Sequence, residues 1–132
     1  MYDIRTKADI DSALDSQEIA DTNTHTGETI DTKGYEALDF CFNFEITTAT
    51  SITIAIYEGD ESDMSDEDTV DSSQLIGALV ISSTGSQTAH IGYVGNKRYV
   101  RAKVAGAGSV NVIASGIAYK GRAAHQPTYT AE

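Results

Sequence analysis

The segment from Leu38 to Ile46 constrains the fold more than any other part of the chain. Leu38, Phe40, Phe42, Phe44 and Ile46 alternate with Asp39, Cys41, Asn43 and Glu45. A period of two is that of a β-strand with one face in a core and the other turned outward. All three phenylalanines of the chain sit on that one face. Ile52, Ile54 and Ile56 alternate with Thr53, Ala55 and Tyr57 in the same way, and Thr47 to Ser51 reads as a hairpin connection between the two strands.

The pattern recurs toward the C-terminus. Leu75 to Ile81 is an apolar run of strand length, Thr88 to Val94 continues after a turn at Gly85, and Lys97 to Val104 puts Val100, Ala102 and Val104 on one side. Gly106-Ala107-Gly108 marks a turn, and Val110 to Tyr119 forms a closing strand. Strands at this spacing, without a helical period, predict an all-β chain: an antiparallel β-sandwich, with the jelly roll as a candidate subtype.

Residues 1–27 lack the alternation. Their scattered Ile4, Ile10, Leu14 and Ile19 among Asp and Thr read as an extended N-terminal arm, removable without loss of the fold and ordered against a partner. Residues 28–120 then form the sandwich, and residues 121–132, with the chain's one proline at Pro127, a short mobile C-terminal tail.

Length and composition limit what such a chain can do. At 132 residues it supports one core. No apolar run approaches the roughly 20 residues of a membrane-spanning helix, and no apolar stretch follows the first residues as it would in a signal peptide. With a single cysteine, Cys41, an internal disulfide is excluded, and a zinc site would have to draw its other ligands from His or carboxylates. A formal charge of −11 argues against direct nucleic-acid binding, although the basic strand with Tyr93 and Tyr99 could stack single strands. Charge is also divided along the chain: 19 of the 20 acids, but three of the nine Lys and Arg residues, precede residue 72. Segregation of this kind points to complementary faces.

Eight of those acids fall between Glu58 and Asp71. Counted from Asp60, the segment lacks the Gly at position six and the Glu at position twelve of an EF-hand loop, so it reads as a solvated acidic hairpin rather than a calcium site. Catalytic patterns are equally thin. No nucleophile elbow, phosphate loop or dinucleotide fingerprint occurs, and Cys41 with His90 is the one nucleophile pair worth weighing. A strand thiol with no helix N-terminus to lower its pKa is ordinarily inert. The expectation is a non-enzyme with no cofactor and no metal.

Three segments resemble small virion proteins of tailed bacteriophages: Asp3 to Lys7, Ile30 to Leu38, and Gly92 to Arg101. Across roughly residues 3 to 120, the resemblance implies a capsid decoration or cement protein, made in the host cytoplasm and carried on the virion surface. Its implied partner is the major capsid protein, with self-association as a dimer or trimer. A neck or tail component, a carbohydrate-binding sandwich using exposed tyrosines, and a small hydrolase are the rival readings. The expected contact residues are Lys97, Arg98, Tyr99, Arg101 and Lys103 on the basic strand, because Arg and Tyr give large, low-entropy contact area. Arg5 and Lys7 in the arm join them through the resemblance. Tyr35 and Tyr93 are expected to be partly buried with locally tied hydroxyls, and Gly34 and Gly95 to supply turn geometry.

Overall fold

The structure is a computed structural model that describes residues 8–123. Arg5 and Lys7 lie outside the described residues, as does most of the expected tail. The strands in chain order are β1 (Asp9–Ile19), β2 (His25–Thr26), β3 (Ile30–Asp31), β4 (Tyr35–Thr48), β5 (Ser51–Gly59) and β6 (Asp68–Thr69). They continue with β7 (Leu75–Ile76), β8 (Val80–Ile81), β9 (Gly85–Tyr93), β10 (Tyr99–Ala107) and β11 (Asn111–Ala123). No helix among the described residues is long and apolar enough to cross a membrane.

Two antiparallel sheets are formed. One has the order β1-β11-β4-β9-β7; the other has β2-β10-β5-β6, with β3 also on β10 and β8 also on β5. The all-β, sandwich-like expectation holds at that level, while the strand order by itself does not establish the closure of a jelly roll. Phe40, Phe42, Phe44 and Ile46 from the first sheet join Ile52, Ile54 and Ile56 from the second in one buried cluster. The three phenyl rings are stacked in sequence along β4, with centroids 6.3 and 5.9 Å apart.

Three expectations change. The alternating runs of β4 and β5 are strands, but they are not partners in a hairpin: β4 pairs with β11 and β9, and β5 with β10. The residues between them carry the chain from one sheet to the other, and Thr50 N–H donates to Ala107 O at that corner. Alternation fixes which face of a strand is apolar; it does not name the strand's neighbour.

The run Leu75 to Ile81 is likewise not one strand. Gly77, at φ 132°, breaks it, so that β7 joins β9 in the first sheet and β8 joins β5 in the second. A backbone angle of that kind is open to glycine and strained for other residues.

The N-terminal arm is the largest correction. Asp9–Ile19 is an edge strand of the five-stranded sheet, paired from Asp9 with Lys120 to Ile19 with Val112. Ala13, Leu14 and Ile19 are fully buried. Register shifts between Ser12 and Leu14 and between Leu14 and Gln17 put two consecutive residues, Ala13 and Leu14, into the core. Bulges of this kind erase the period of two that would have marked the strand. At the other end β11 runs on to Ala123, so the sheet takes up the first residues assigned to the tail.

Candidate functional site

The basic strand was the expected contact surface, and its side chains do point outward from β10. Val100, Ala102 and Val104 are buried, while Tyr99, Arg101 and Lys103 lie on the opposite side. The structure places each basic residue against a carboxylate of the same chain. Arg98 forks onto Asp31 with two 2.9 Å hydrogen bonds from Nε and Nη2. Lys97 Nζ donates to Asp60 at 2.7 Å. Arg101 Nε and Lys103 Nζ both donate to Glu67, at 2.9 and 2.7 Å. The aromatic rings of this face are covered as well, Tyr99 by Arg98 and Tyr57 by Lys103.

The acidic hairpin is therefore a clasp closed on the basic strand through Asp60 and Glu67, and with Asp31 it pairs the cations of that strand within the molecule. Glu67 is held below the usual carboxylate range by Lys103 and then by Arg101, against the opposing effect of its own burial. Asp66 accepts from the backbone N–H groups of Asp60 and Glu61 at 2.8 and 3.2 Å, and the first of these bonds does most to lower its pKa. The loop is not merely solvated: Met64 is buried at its centre with φ 58°, a left-handed conformation unusual for a side chain of that size.

With those charges paired, the outward face of the five-stranded sheet becomes the more open surface. Its cross-strand rows are set by register. Ser12, Ile117, Cys41 and His90 form one row across β1, β11, β4 and β9; Ile10, Tyr119, Asp39 and Gly92 form the next. Ile10, Ile113 and Ile117 are 57%, 59% and 41% exposed, and no Lys or Arg lies in these rows. Asp9, Asp15 and Glu18 stand along the exposed β1 edge. An open depression of about 660 Å³ lies over the middle of the face, lined by Ser12, Asp15, Cys41, Asn43, Thr88, His90, Ser115 and Ile117 among others.

Cys41 and His90 line this depression, and Asp39 is in reach of both. His90 Nδ1 is 2.5 Å from Asp39 Oδ2, and Cys41 Sγ donates to the same oxygen at 3.6 Å. The pairing does not make Cys41 an activated nucleophile. Burial pushes its thiol pKa up, and the neighbouring Asp39 carboxylate pushes it further. A catalytic cysteine needs the opposite shift and a thiol proton directed at its histidine, whereas the Cys41 thiol donates to Asp39.

Two other residues shape the site's support. Lys120, although cationic, is 8% exposed; its ammonium reaches Asp11 at 2.7 Å and Asp9 at 3.8 Å and lies 5.0 Å from the centre of the Tyr35 ring. Gly27 stitches the two sheets, its N–H donating to Ala102 O at 2.8 Å while Glu28 N–H donates to Ala13 O at 2.9 Å. Neither role has a local sequence signature. Tyr93 matches its expectation, buried with its hydroxyl tied to Glu58 and Lys97. Gly34 has the positive φ expected of a turn glycine, whereas Gly95 leaves room for the Tyr93 ring.

No protein-family model matches the chain, and no curated protein sequence matches it. Similarity appears among solved structures. The PBSX exported protein XepA superposes with a TM-score of 0.59 at 16% identity, over 95% of this chain and 40% of that one. A subunit described under Bacillus endospore appendages, a family of disulfide-linked pili, gives a TM-score of 0.50 at 10% identity over 89% of each chain. The SPBc2 prophage-derived protein YomS gives 0.47 at 15% identity over 86% of this chain and 93% of that one. This chain thus spans about two-fifths of the length of XepA, and at these identities what it shares with XepA and the appendage subunit is the fold: a two-sheet antiparallel β module.

Proposed function

We propose that this chain is a non-enzymatic accessory module of a phage-type particle or appendage, which binds a neighbouring protein subunit through the outward face of its five-stranded sheet. The observation that carries this reading is the exposure of Ile10, Ile113 and Ile117 on one sheet face with an acidic edge, while the cations of the basic strand are engaged inside the molecule. Clustered exposed aliphatic side chains with a polar rim are what a protein contact buries. The fold shared with a prophage exported protein and an appendage subunit supports the same class by analogy.

The finer form of the proposal is a decoration protein on the major capsid protein, at the virion surface, self-associating as a dimer or trimer; a neck or tail position is its nearest variant. An acidic, apolar face suits a partner with a basic rim. Arg5 and Lys7 remain proposed contacts from outside the described residues. Lys97, Arg98, Tyr99, Arg101 and Lys103 enter as a second contact strip, reached by a partner that exchanges its own carboxylates for Asp31, Asp60 and Glu67. A carbohydrate-binding role has less support, because Tyr93 is buried and Tyr35, Tyr57 and Tyr99 each lie beside a cation rather than forming an open platform.

Gradient sedimentation of particles produced with the tagged chain tests the proposal. The protein should travel with the particle peak, and the double change Ile113→Asp with Ile117→Asp should leave it folded at the top of the gradient. Wild-type protein confined to the soluble fractions would overturn the particle reading, and unchanged co-sedimentation of the double variant would remove this face from it.

A further inference from the structure

Asp39 and Cys41 stand two residues apart on the outward side of β4, and His90 is the direct cross-strand partner of Cys41 on β9. Residues at i and i+2 of a strand share a face, and directly opposed residues of an antiparallel pair hold their Cβ atoms about 5 Å apart. Two central strands therefore hold a carboxylate oxygen, a thiol sulfur and an imidazole nitrogen within 4.8 Å of one another. Asp39 Oδ1 is enclosed and accepts no hydrogen bond from the described residues, while Oδ2 carries both the His90 and the Cys41 contacts. A buried acceptor without a donor is costly, and a bound ion is one of the few things that relieves it.

We propose that Asp39, Cys41 and His90 form a binding site for a divalent d-block cation of borderline softness, zinc being the natural occupant. The donor set selects the metal class. Calcium and magnesium take oxygen ligands in larger number, whereas one sulfur, one nitrogen and one oxygen suit zinc or cobalt. Zinc bonds of about 2.0 Å to N and O and 2.3 Å to S place tetrahedral ligand atoms about 3.3–3.5 Å from one another. The observed 2.5 Å between His90 and Asp39 has to widen, and the 3.6 Å between Cys41 and Asp39 is already close. The His90 side chain is 76% exposed, so its rotation meets little resistance. On binding, the Cys41 thiol gives its proton to solvent, and Sγ, Nδ1 and the Asp39 carboxylate become three ligands. Cys41 and His90 line the open depression, which leaves the fourth position to water and makes this a three-ligand site with one exchangeable position. The assignment rests on strand geometry and is independent of the particle-binding proposal.

The test is titration of the reduced full-length protein with Zn²⁺ by calorimetry and with Co²⁺ by absorption. One equivalent should bind with micromolar affinity or tighter. Cobalt should give intense tetrahedral visible bands and a thiolate-to-metal charge-transfer band in the near ultraviolet. Cys41→Ser should abolish the charge-transfer band, and His90→Ala and Asp39→Asn should each weaken binding by about tenfold or more. His90 is exposed enough that its alanine variant keeps the fold, so it decides the matter even where Cys41→Ser is unstable. Absence of saturable uptake, or uptake by His90→Ala indistinguishable from wild type, would overturn the assignment; the second result would place the ion elsewhere in this acidic chain.

Discussion

Tyr93 donates a 2.6 Å hydrogen bond from its hydroxyl to Glu58 Oε1, tying β9 of the five-stranded sheet to β5 of the other. The Tyr93 hydroxyl oxygen in turn accepts from Lys97 N–H at 3.1 Å, so one phenol anchors both sheets and the start of the basic strand. Burial, and then the hydrogen bond to Glu58, push the phenol well above its ordinary pKa. A raised pKa in the folded state means that the folded form holds the proton more tightly. The associated stability is complete at neutral pH and fades as pH climbs past about 10, where the unfolded phenol ionises. Tyr93→Phe should cost about 1–2 kcal/mol in denaturant unfolding and flatten the alkaline limb of the stability profile. Gly95→Ala should mimic part of this loss, because a Cβ there would overlap the Tyr93 ring.

Gly27 should be nearly irreplaceable. A Cβ at this position would overlap Ala13 O and sit 2.8 Å from Ala102 O, and both obstacles are backbone of strands in different sheets. Neither can move without breaking its own ladder. Gly27→Ala is expected to cost about 3 kcal/mol, at the upper end of overpacking effects, measured as a shift in the urea midpoint at unchanged m-value. A midpoint within experimental error of wild type would show that the sheets can part at this edge.

Acid should open the clasp. Asp31, held low mainly by Arg98, and Glu67, held low mainly by Lys103, bind protons less readily folded than unfolded. Their contribution is present above the ordinary carboxylate range and is lost as pH falls from about 4 downward. Glu67→Gln should remove about 1–2 kcal/mol at neutral pH, between an exposed ion pair and a buried charged hydrogen bond, and should make the acid limb shallower. Arg101→Glu would set two carboxylates against each other, so a loss of particle binding in that variant has to be read beside its thermal midpoint.

Removing residues 1–20 should abolish cooperative unfolding rather than spare the domain. It would delete β1, expose the long edge of β11, and take from Lys120 both Asp9 and Asp11. Leu14→Ala, a milder probe of the same contact, should cost about 2–5 kcal/mol. A truncated protein that still melted cooperatively near the wild-type temperature would return this segment to the status of an arm.

What the sequence determined by itself is the sidedness of the chain. The alternation from Leu38 to Ile46 and from Ile52 to Ile56 names the buried residues correctly, because the two-residue period is a property of local backbone geometry and needs no partner. It also placed Asp39 and Cys41 together on the outer side. Everything that depends on which strands become neighbours was decided by the tertiary structure. The β4–β9 register brings His90 to Cys41, the folded-back hairpin brings Glu67 to Arg101 and Lys103, and two bulges let β1 bury Ala13 and Leu14 in succession. Strand pairing is a contest among contacts far apart in sequence, settled by how all the apolar faces close over one core at once. A charge imbalance between the two halves of the chain leaves open whether the complement lies in a partner or in the same molecule; the fold brought those charges together.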